Sequence, residues 1–561
     1  MSLHDVDHIL TGKVVTLDDA GRIAEAVAVR HGRIAAVGER REILALKGAG
    51  TRVTDTGGVI IPGFNDAHAH MDTEGLRDRF PSLGRVRSIA DVLARISELA
   101  RTTPRGEWIV TMPVGDAPFY FGGPAVLQEG RMPTRAELDR AAPDHPVCIL
   151  PPSGYWSLVP CYTALNSLAL KLNGLDRNAV SPVAGVELAR DAAGELTGVI
   201  VEHNYPDSAQ IALLPAVPRF SAQDRRDGIR RAVRAYHAVG TTSVYEGHGC
   251  APDVISAYRD LNQAGELTMR MHLVVSPTWT DCDEAADMMR DWLPYARGAG
   301  IGDATLRIGG IFVGYGGEPT AAAAALADPA DLGWSCYVKQ ANAPEDFERL
   351  CMLAAMYDLR VHTIVVDQLG EILPVFERVH AAYDISRRRW VVEHMSFAAA
   401  ADLARLKALG IGVTLIPDYH LWKVGTRFFP LSEADRALVA PAAQLDALGV
   451  PVACGTDNSP CNPLATLRAM RLRRERTTGE VVGAGGCASA ELALRAMTQN
   501  GAWFSFEETV KGRIMPGYYA DLAVLSGCPL TTPGEELETL SCLATMVGGR
   551  FVHGNASFTS G

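Results

Sequence analysis

The stretch that decides the fold prediction covers residues 60–70 and reads IIPGFNDAHAH. On a β-strand, residues two apart point to the same side, so His68 and His70 are expected to aim at one point beyond the end of a strand. Two imidazoles placed in this way are a plausible beginning of a metal site. Because an isolated His-x-His pair is more often an ordinary surface or core feature, the interpretation depends on residues further along the chain.

The middle of the chain alternates apolar runs of strand length with amphipathic helical patterns. Helical patterns cover residues 221–237, 343–357 and 398–409, and the first begins with a capping serine. Strands that alternate with helices predict parallel strands joined by crossovers, and many such units favour a (β/α)8 barrel in the α/β class. The strand-length runs are residues 147–150, 241–245, 306–313, 359–362, 390–394, 411–416 and 450–454.

Three of the later runs end at or just before residues that bind metals in proteins, namely His362, His394 and Asp457. In a barrel, the carboxyl ends of all strands face the same mouth, where active sites lie. Each residue taken alone has a structural explanation, such as helix capping for Asp457. Together with His68 and His70 they predict one metal site at the barrel mouth, because five such coincidences on one face are hard to explain otherwise.

Both ends of the chain have the pattern of short antiparallel strands. Residues 23–38 read as a hairpin that turns at His31-Gly32, and residues 543–553 read as another around Gly548-Gly549. We therefore expect one small composite β-sandwich built from both termini. The predicted division is residues 1–60 and 516–561 for the β-sandwich, and 61–515 for the barrel with an insertion at about 72–220.

Composition excludes several classes of partner. The 561 residues carry a net charge of −12, with acidic and basic residues interspersed, so neither nucleic acid nor a membrane surface is expected as a partner. The first residues lack the pattern of a signal peptide, and the 11 cysteines form no CxxC pair. These features predict a cytoplasmic protein that acts on a small-molecule substrate, and they leave a homo-oligomer open.

The order His68-x-His70, His362, His394 and Asp457 resembles the amidohydrolase superfamily, in particular the branch called amidohydrolase family 3, which includes N-substituted formamide deformylases. The resemblance implies a barrel with a composite β-sandwich and a divalent metal, with zinc as the first choice. Further matching stretches are Pro62-Gly63-Phe64, Asn166-Ser167-Leu168-Ala169-Leu170, Gly240-Thr241-Thr242-Ser243, Glu393-His394 and residues 512–525.

One departure from the branch concerns the number of metal ions. The resemblance implies a carboxylated lysine that bridges two metals after residues 306–310, but this chain has Phe312 at the expected position. Two divalent ions about 3.5–4 Å apart need a bridging anion, and Phe312 supplies none. We expect one metal ion, or a second, weaker one at His362 and His394. Glu246 is a possible substitute carboxylate, although a solvated loop residue or a hydrogen-bond partner is the simpler interpretation. His248 and His203 are possible substrate contacts, and a residue without a functional role is the simpler interpretation of each.

A second departure concerns the substrate. Where the branch commonly has a histidine that contacts substrate, this chain has Ser153-Gly154-Tyr155-Trp156. Further aromatic residues lie on expected mouth loops. Aromatic clusters more often serve packing than recognition, but these together favour an apolar or aromatic substrate. The additional aromatic residues are Phe119, Tyr120, Phe121, Tyr419 and Trp422.

The expected reaction is hydrolysis of a non-peptide, amide-type carbon–nitrogen bond by hydroxide that the metal makes available at neutral pH. Asp457 would bind the metal and transfer the proton to the leaving nitrogen, and His394 would polarise the carbonyl or bind a second metal. The alternative enzyme is a mononuclear deaminase of a heterocycle. It needs a glutamate near His362, and neither Asp367 nor Glu371 has the expected spacing. A non-catalytic metal-binding or ligand-binding relative is the third hypothesis.

Overall fold

A computed structural model describes residues 6–204, 208–329 and 332–559. Its largest sheet contains eight parallel strands that form a nearly closed barrel, with one two-residue strand, Ile301–Gly302, paired at the side. The predicted (β/α)8 fold is therefore confirmed. In chain order, the barrel strands are Phe64–Asp66, Thr241–Cys250, Arg270–Val275, Leu306–Phe312, Val361–Ile364, Val391–Glu393, Gly412–Leu415 and Val452–Cys454.

The barrel closes between its first and eighth strands through a buried carboxylate. The Ala67 amide donates to the Cys454 carbonyl at 3.2 Å. Asp66 accepts the amide of Thr456 at 3.0 Å and its hydroxyl at 2.6 Å. Because Asp66 also accepts the amide of His68, the same carboxylate holds the segments that carry His68 and Asp457 together.

Helices surround the barrel and alternate with its strands. The eight that flank successive strands bury apolar residues against them, and three of these helices are those predicted at residues 221–237, 343–357 and 398–409. These are Ala222–Ala238, Pro252–Gln263, Cys282–Asp291, Pro344–Met356, Leu369–Tyr383, Ala400–Leu409, Ala442–Leu448 and Pro463–Leu472. Other α-helices are Arg40–Leu44, Met71–Leu76, Ile89–Thr102, Arg135–Ala141, Ser167–Leu172, Ser208–Leu213, Pro319–Ala327, Glu433–Arg436, Ala490–Ala496, Gly501–Phe504 and Ala556–Thr559.

Strands from both ends of the chain pair in one seven-stranded sheet, the composite β-domain. The strand Leu522–Leu525 lies antiparallel to Arg52–Pro62, which joins the carboxyl-terminal strands to the amino-terminal ones. The sheet has its own apolar core, which includes Val27, Ile60 and Met546. In sheet order the strands are Arg550–Gly554, Cys542–Val547, Leu522–Leu525, Arg52–Pro62, His8–Val15, Ile23–Arg30 and Arg33–Gly38.

The chain between the first barrel strand and the helix Ala222–Ala238 contains a separate five-stranded sheet. Residues 147–150, which the sequence placed in the alternating series, lie here and not in the barrel. The run is a genuine strand, but its neighbours are the insertion's own strands. In sheet order these are Ile109–Thr111, Val147–Ile149, Cys161–Leu165, Leu196–Glu202 and Val186–Arg190. Among the described residues, no helix is long and apolar enough to span a membrane.

His237, at the end of the helix Ala222–Ala238, links the barrel to the composite β-domain. Its ring contacts the Thr241 carbonyl and the Thr268 hydroxyl, each at 3.0 Å, and its carbonyl accepts the Thr545 hydroxyl at 2.6 Å. Burial lowers the pKa of His237 from 6.5 to about 4. The folded state therefore keeps this ring neutral at a pH where the unfolded chain protonates it.

This burial predicts a pH dependence of stability. As the pH falls from 6.5 towards 4, the unfolded state gains a proton that the folded state does not, so His237 lowers the free energy of unfolding by up to about 1.4 kcal/mol per pH unit. We expect the melting temperature of His237→Gln to change less between pH 7 and pH 5 than that of the unaltered protein. His203→Gln, at an exposed histidine, is the control and should leave the slope unchanged. An unaltered slope in His237→Gln would contradict the prediction.

Candidate metal centre

His68 and His70 follow the first barrel strand, and carboxylates fix the orientation of both rings. His68 Nδ1 lies 3.0 Å from Glu393 Oε2, and His70 Nδ1 lies 3.1 Å from Glu246 Oε2. Since a carboxylate accepts, each Nδ1 carries the proton and donates it. Both Nε2 atoms are then left as lone-pair donors, which is the arrangement of metal-binding histidines in proteins.

Asp457 lies opposite these two nitrogens. Its Oδ1 is 3.2 Å from His70 Nε2 and 3.7 Å from His68 Nε2, and its Oδ2 is 3.1 Å from His394 Nε2. Burial by itself would raise the pKa of Asp457, but the histidines around it, His394 first among them, hold that pKa well below its usual range. The carboxylate is therefore ionised at neutral pH and able to bind a cation or accept a proton.

His248, near the end of the second barrel strand, completes this cluster. Its ring centroid lies 4.4 Å from that of His68 and 4.6 Å from that of His70. Burial, with the neighbouring His68 and His70, holds the pKa of His248 well below its usual range, so the ring is neutral. Ligand atoms of His68, His70 and His248 all lie within 4.8 Å of one another.

The same cluster contains buried polar atoms that the described residues leave without a hydrogen bond. They are His68 Nε2, His70 Nε2, Asp457 Oδ1 and both ring nitrogens of His248. Native structures rarely leave buried polar atoms unpaired, because each unpaired atom costs about 1–3 kcal/mol. These are nitrogen and carboxylate donors that face one another, so the residues fit a bound divalent metal ion.

His362 has a different environment, although it also lies on a barrel strand. Its Nδ1 is 2.9 Å from Glu393 Oε1, and its Nε2 is 3.0 Å from the Tyr245 hydroxyl. Burial lowers the pKa of His362 to about 4, with a further contribution from Arg360. Both ring nitrogens thus have protein partners. His362 therefore has no free donor atom for the weaker metal site that the sequence predicted at His362 and His394.

Glu393 connects these two environments. It accepts hydrogen bonds from His68, His362 and the Thr414 hydroxyl while fully buried. Burial would raise its pKa, but the hydrogen bonds from His362 and His68 outweigh burial and hold it at about 2. A permanently ionised carboxylate at this position fixes the orientation of His68.

Glu246 holds His70 in the same way and lies on the side of the ring away from Asp457. Its Oε1 accepts the Met71 amide and the Tyr258 hydroxyl, each at 2.9 Å. Cys336 Sγ also lies 3.2 Å from His70 Nδ1. Because both carboxylate oxygens of Glu246 have partners, the structure favours the hydrogen-bonding role over a bridge between two metals.

Phe312 occupies the place where a bridging lysine was considered. It pairs with His362 in the strand register, and its ring lies 6.5 Å from that of His248 and 5.7 Å from that of Tyr337. Its side chain is buried among apolar neighbours that include Tyr245. The space next to His248 is thus filled by an aromatic ring without a donor atom.

His394 and His420 form the side of the cluster beyond Asp457. Their ring centroids are 4.8 Å apart, and His394 Nδ1 and both nitrogens of His420 are buried without a hydrogen-bond partner among the described residues. His394 and Asp457 both have left-handed backbone conformations, with φ of 61° and 49°. Non-glycine residues adopt this region at a cost, and such residues cluster at functional sites.

The insertion reaches the cluster through the loop after residue 152. The Tyr155 ring stacks on His70, with centroids 4.7 Å apart. Lys423, in the π-helical turn Asp418–Lys423, donates to the carbonyls of Gly154 and Tyr155 at 2.6 and 3.0 Å. Burial lowers the pKa of Lys423 to about 7. These contacts hold the insertion loop over the barrel mouth.

Aromatic side chains surround the approach to this loop. The rings of Phe119 and Phe121 stack at 4.8 Å, and Trp422 lies within 6 Å of both. A separate cavity of about 320 Å³ has a lining that includes Phe312, Tyr337, Ile364, Val366 and Gln368. Because Phe312 and Tyr337 also flank His248, this cavity lies next to the metal cluster.

Sequence reasoning underestimated several of these residues. His248 was considered only as a possible substrate contact, although it is two residues after Glu246 on one strand and so shares its side. His420, Lys423 and Tyr245 were not identified, since no spacing pattern marks them. His203 is exposed and pairs with Glu187 at 3.2 Å, as the structural interpretation of it expected.

The chain is similar to known proteins over nearly its whole length. The chain is 25% identical to the putative amidohydrolase YtcJ of Bacillus subtilis, over 97% of this chain and 98% of that protein. It is 26% identical to the N-substituted formamide deformylase of Arthrobacter pascens, over 96% and 97% of the two chains. Each of these similarities extends over nearly the whole of both chains.

A solved structure shows the same fold. An uncharacterized metal-dependent hydrolase from Pyrococcus horikoshii matches 94% of this chain and 99% of its own, with a TM-score of 0.67 and 19% identity. The model of the amidohydrolase family matches residues 56–553, which include all eight barrel strands and every residue of the cluster. The family match supports a hydrolytic enzyme that acts on carbon–nitrogen bonds, and the chain belongs to the amidohydrolase family.

Proposed function

We propose that the protein is a metal-dependent hydrolase that cleaves a non-peptide, amide-type carbon–nitrogen bond of a small apolar or aromatic substrate. The observation that supports this most is the set of buried, unpaired donor atoms on His68, His70, His248 and Asp457 beside His394. A donor set rich in imidazole suits zinc. A divalent ion held there would lower the pKa of water to about 7 and polarise a carbonyl group.

Asp457 would move the proton. Its carboxylate is ionised and buried, with His394 Nε2 3.1 Å from one oxygen. As the oxygen of water bonds to the carbonyl carbon, Asp457 accepts a proton and then transfers it to the nitrogen while the carbon–nitrogen bond breaks. The products are a carboxylic acid and an amine.

His394 and His420 would orient the substrate. Each ring has at least one buried nitrogen without a partner among the described residues, and the two rings are adjacent. A nitrogen that carries a proton can donate to the substrate carbonyl oxygen as negative charge develops on it, which stabilises the transition state. Because His394 Nε2 donates to Asp457, His394 polarises the carbonyl only when Nδ1 carries a proton as well. A neutral His420 already has an N–H without a partner among the described residues.

The deaminase alternative receives less support from the environment of His362. Asp367 contacts Ser396 and Arg427, and Glu371 accepts the Tyr315 hydroxyl at 2.6 Å. Both carboxylates are exposed and committed elsewhere. Neither is in place to protonate a heterocycle bound next to the cluster.

Hydrolysis of a substrate panel tests the proposal. Purified protein loaded with zinc should release amine from small N-aryl and N-benzyl formamides and related amides, and chelated protein should not. The panel starts with formamides because one relative is named a formamide deformylase. Zinc-loaded protein that binds these compounds but releases neither amine nor ammonia would support a non-catalytic relative instead.

The cavity beside Phe312 is predicted to limit the size of the substrate. Ile364 lines it and is only partly buried, so Ile364→Phe should narrow the cavity without disrupting the barrel. We expect kcat/KM for bulky aryl amides to fall 10-fold or more relative to that for small amides. A change of one methylene group in an apolar pocket already changes such a ratio by about 10-fold or more. The control is Ile255→Phe on the outer helix Pro252–Gln263, which should not change the ratio. An equal loss for small and bulky amides would contradict this use of the cavity.

A further inference from the structure

We propose that His248 is the third histidine ligand of the metal and that it takes the place expected for His362. This inference rests on the proposed metal centre and specifies which residues complete it. It assigns a ligand to the second barrel strand, where the sequence had marked only Glu246, as a possible substitute carboxylate. It also makes His362 a residue that acts on the metal only through Glu393.

Two of the distances between donor atoms match those around a single four-coordinate ion. Zinc–nitrogen bonds are about 2.0–2.1 Å long, so neighbouring ligand atoms in a tetrahedral site are about 3.3 Å apart. Asp457 Oδ1 is 3.2 Å from His70 Nε2 and 3.7 Å from His68 Nε2, close to that separation. A donor atom of His248 lies within 4.8 Å of the donor atoms of both histidines, so the ring faces the same space.

The unpaired state of the His248 ring distinguishes it from His362. Neither His248 nitrogen has a hydrogen-bond partner in the described ranges, although the side chain is only 3% exposed. His362, in contrast, is bonded through Nδ1 to Glu393 and through Nε2 to Tyr245. A metal at His362 would need the Tyr245 hydroxyl to leave, whereas a metal at His248 would replace nothing.

Two glycines allow the second strand to bring His248 to this position. A Cβ at Gly247 would lie 2.6 Å from the Glu393 carboxylate. Gly249 has a φ of 83° and lies so close to Phe312 that a Cβ would be 3.0 Å from that side chain. The pairing of this strand with the next is irregular between Glu246 and Cys250. The strand end therefore bends inward, and only residues without a side chain permit the close approach.

The test measures zinc affinity by competition with a chromophoric chelator, independently of activity. His248→Ala should weaken zinc binding more than 100-fold, since outer contacts to ligands already cost 10–100-fold. His362→Asn, whose amide can still donate to Glu393, should weaken it less than 10-fold. Thermal unfolding without metal checks that both variants fold, and the stabilisation that added zinc gives should be lost only in His248→Ala.

Cobalt substitution gives a second readout that does not depend on affinity alone. At saturating cobalt, the visible absorption bands of His248→Ala should change in position and intensity, and those of His362→Asn should match the unaltered protein. Unchanged affinity and spectrum in His248→Ala, with both altered in His362→Asn, would overturn the inference. His68→Ala separates this failure from that of the proposed centre, because zinc bound as tightly without His68 would refute the centre itself.

Discussion

Replacement of Asp457 by asparagine is expected to lower kcat by about 10²- to 10⁴-fold, the range that proton transfer by a positioned side chain contributes. The carboxylate lies 3.1 Å from His394 Nε2, which donates to it and helps to keep it ionised, and 3.2 Å from His70 Nε2. Asparagine has nearly the same shape but no charge and no basic oxygen. Steady-state kinetics on an amide substrate and zinc analysis of the same sample measure the two consequences separately.

The matched control is Asp367→Asn, at an exposed carboxylate that follows the fifth barrel strand. It should leave kcat within about two-fold of the unaltered value, as an exposed side chain away from the site does. If Asp457→Asn retained full turnover with zinc bound, proton transfer would have to be assigned to another residue.

The second large effect is expected from Glu393→Gln. The glutamate accepts Nδ1–H donors from both His68 and His362, at 3.0 and 2.9 Å. A glutamine has one acceptor oxygen and one amide donor, so one of the two histidines must shift its proton from Nδ1 to Nε2. If His68 shifts, it loses the lone pair that faces Asp457, and zinc affinity should fall 10- to 100-fold.

Loss of a buried charge can also destabilise a protein, so the control variant must lose a buried charge as well. Glu507→Gln removes a buried carboxylate that pairs with Lys511 at 2.6 Å. Lys511 also contacts Ser243, near the start of the second barrel strand, so this pair lies at the end of the barrel away from the metal cluster. It should lower the melting temperature and leave zinc affinity unchanged. An equal loss of affinity in both variants would show that Glu393 acts through stability alone.

The barrel and the composite β-domain could be predicted from the sequence because both depend on local patterns. Apolar runs that alternate with helical patterns can be recognised within short stretches of the chain. The pairs His31-Gly32 and Gly548-Gly549 indicate tight turns and so predict the hairpins. The placement of residues 147–150 could not be predicted, since a buried strand has the same composition in a barrel and in an insertion. Only its pairing with Ile109–Thr111 and Cys161–Leu165 decides the sheet.

The candidate site could also be predicted only in part from the sequence. His68, His70, His394 and Asp457 follow strand ends in a recognisable order, and the structure brings them together. His362 follows the same order, yet its environment is set by the Tyr245 hydroxyl, 117 residues earlier in the chain.

Two further features of the site depend on parts of the chain that sequence patterns do not connect. His248 comes near His68 through the irregular end of its strand. Lys423 depends on carbonyls in the insertion loop. Such contacts join segments that are distant in the sequence, so no local sequence pattern predicts them.

The central claim is a single metal ion held by His68, His70, His248 and Asp457. The most direct measurement is elemental analysis of the purified, zinc-saturated protein after removal of loosely bound metal, combined with protein quantitation by amino-acid analysis. We predict one zinc ion per chain, because Phe312 supplies no bridging anion and both His362 nitrogens have protein partners. Two tightly held ions per chain would contradict this account.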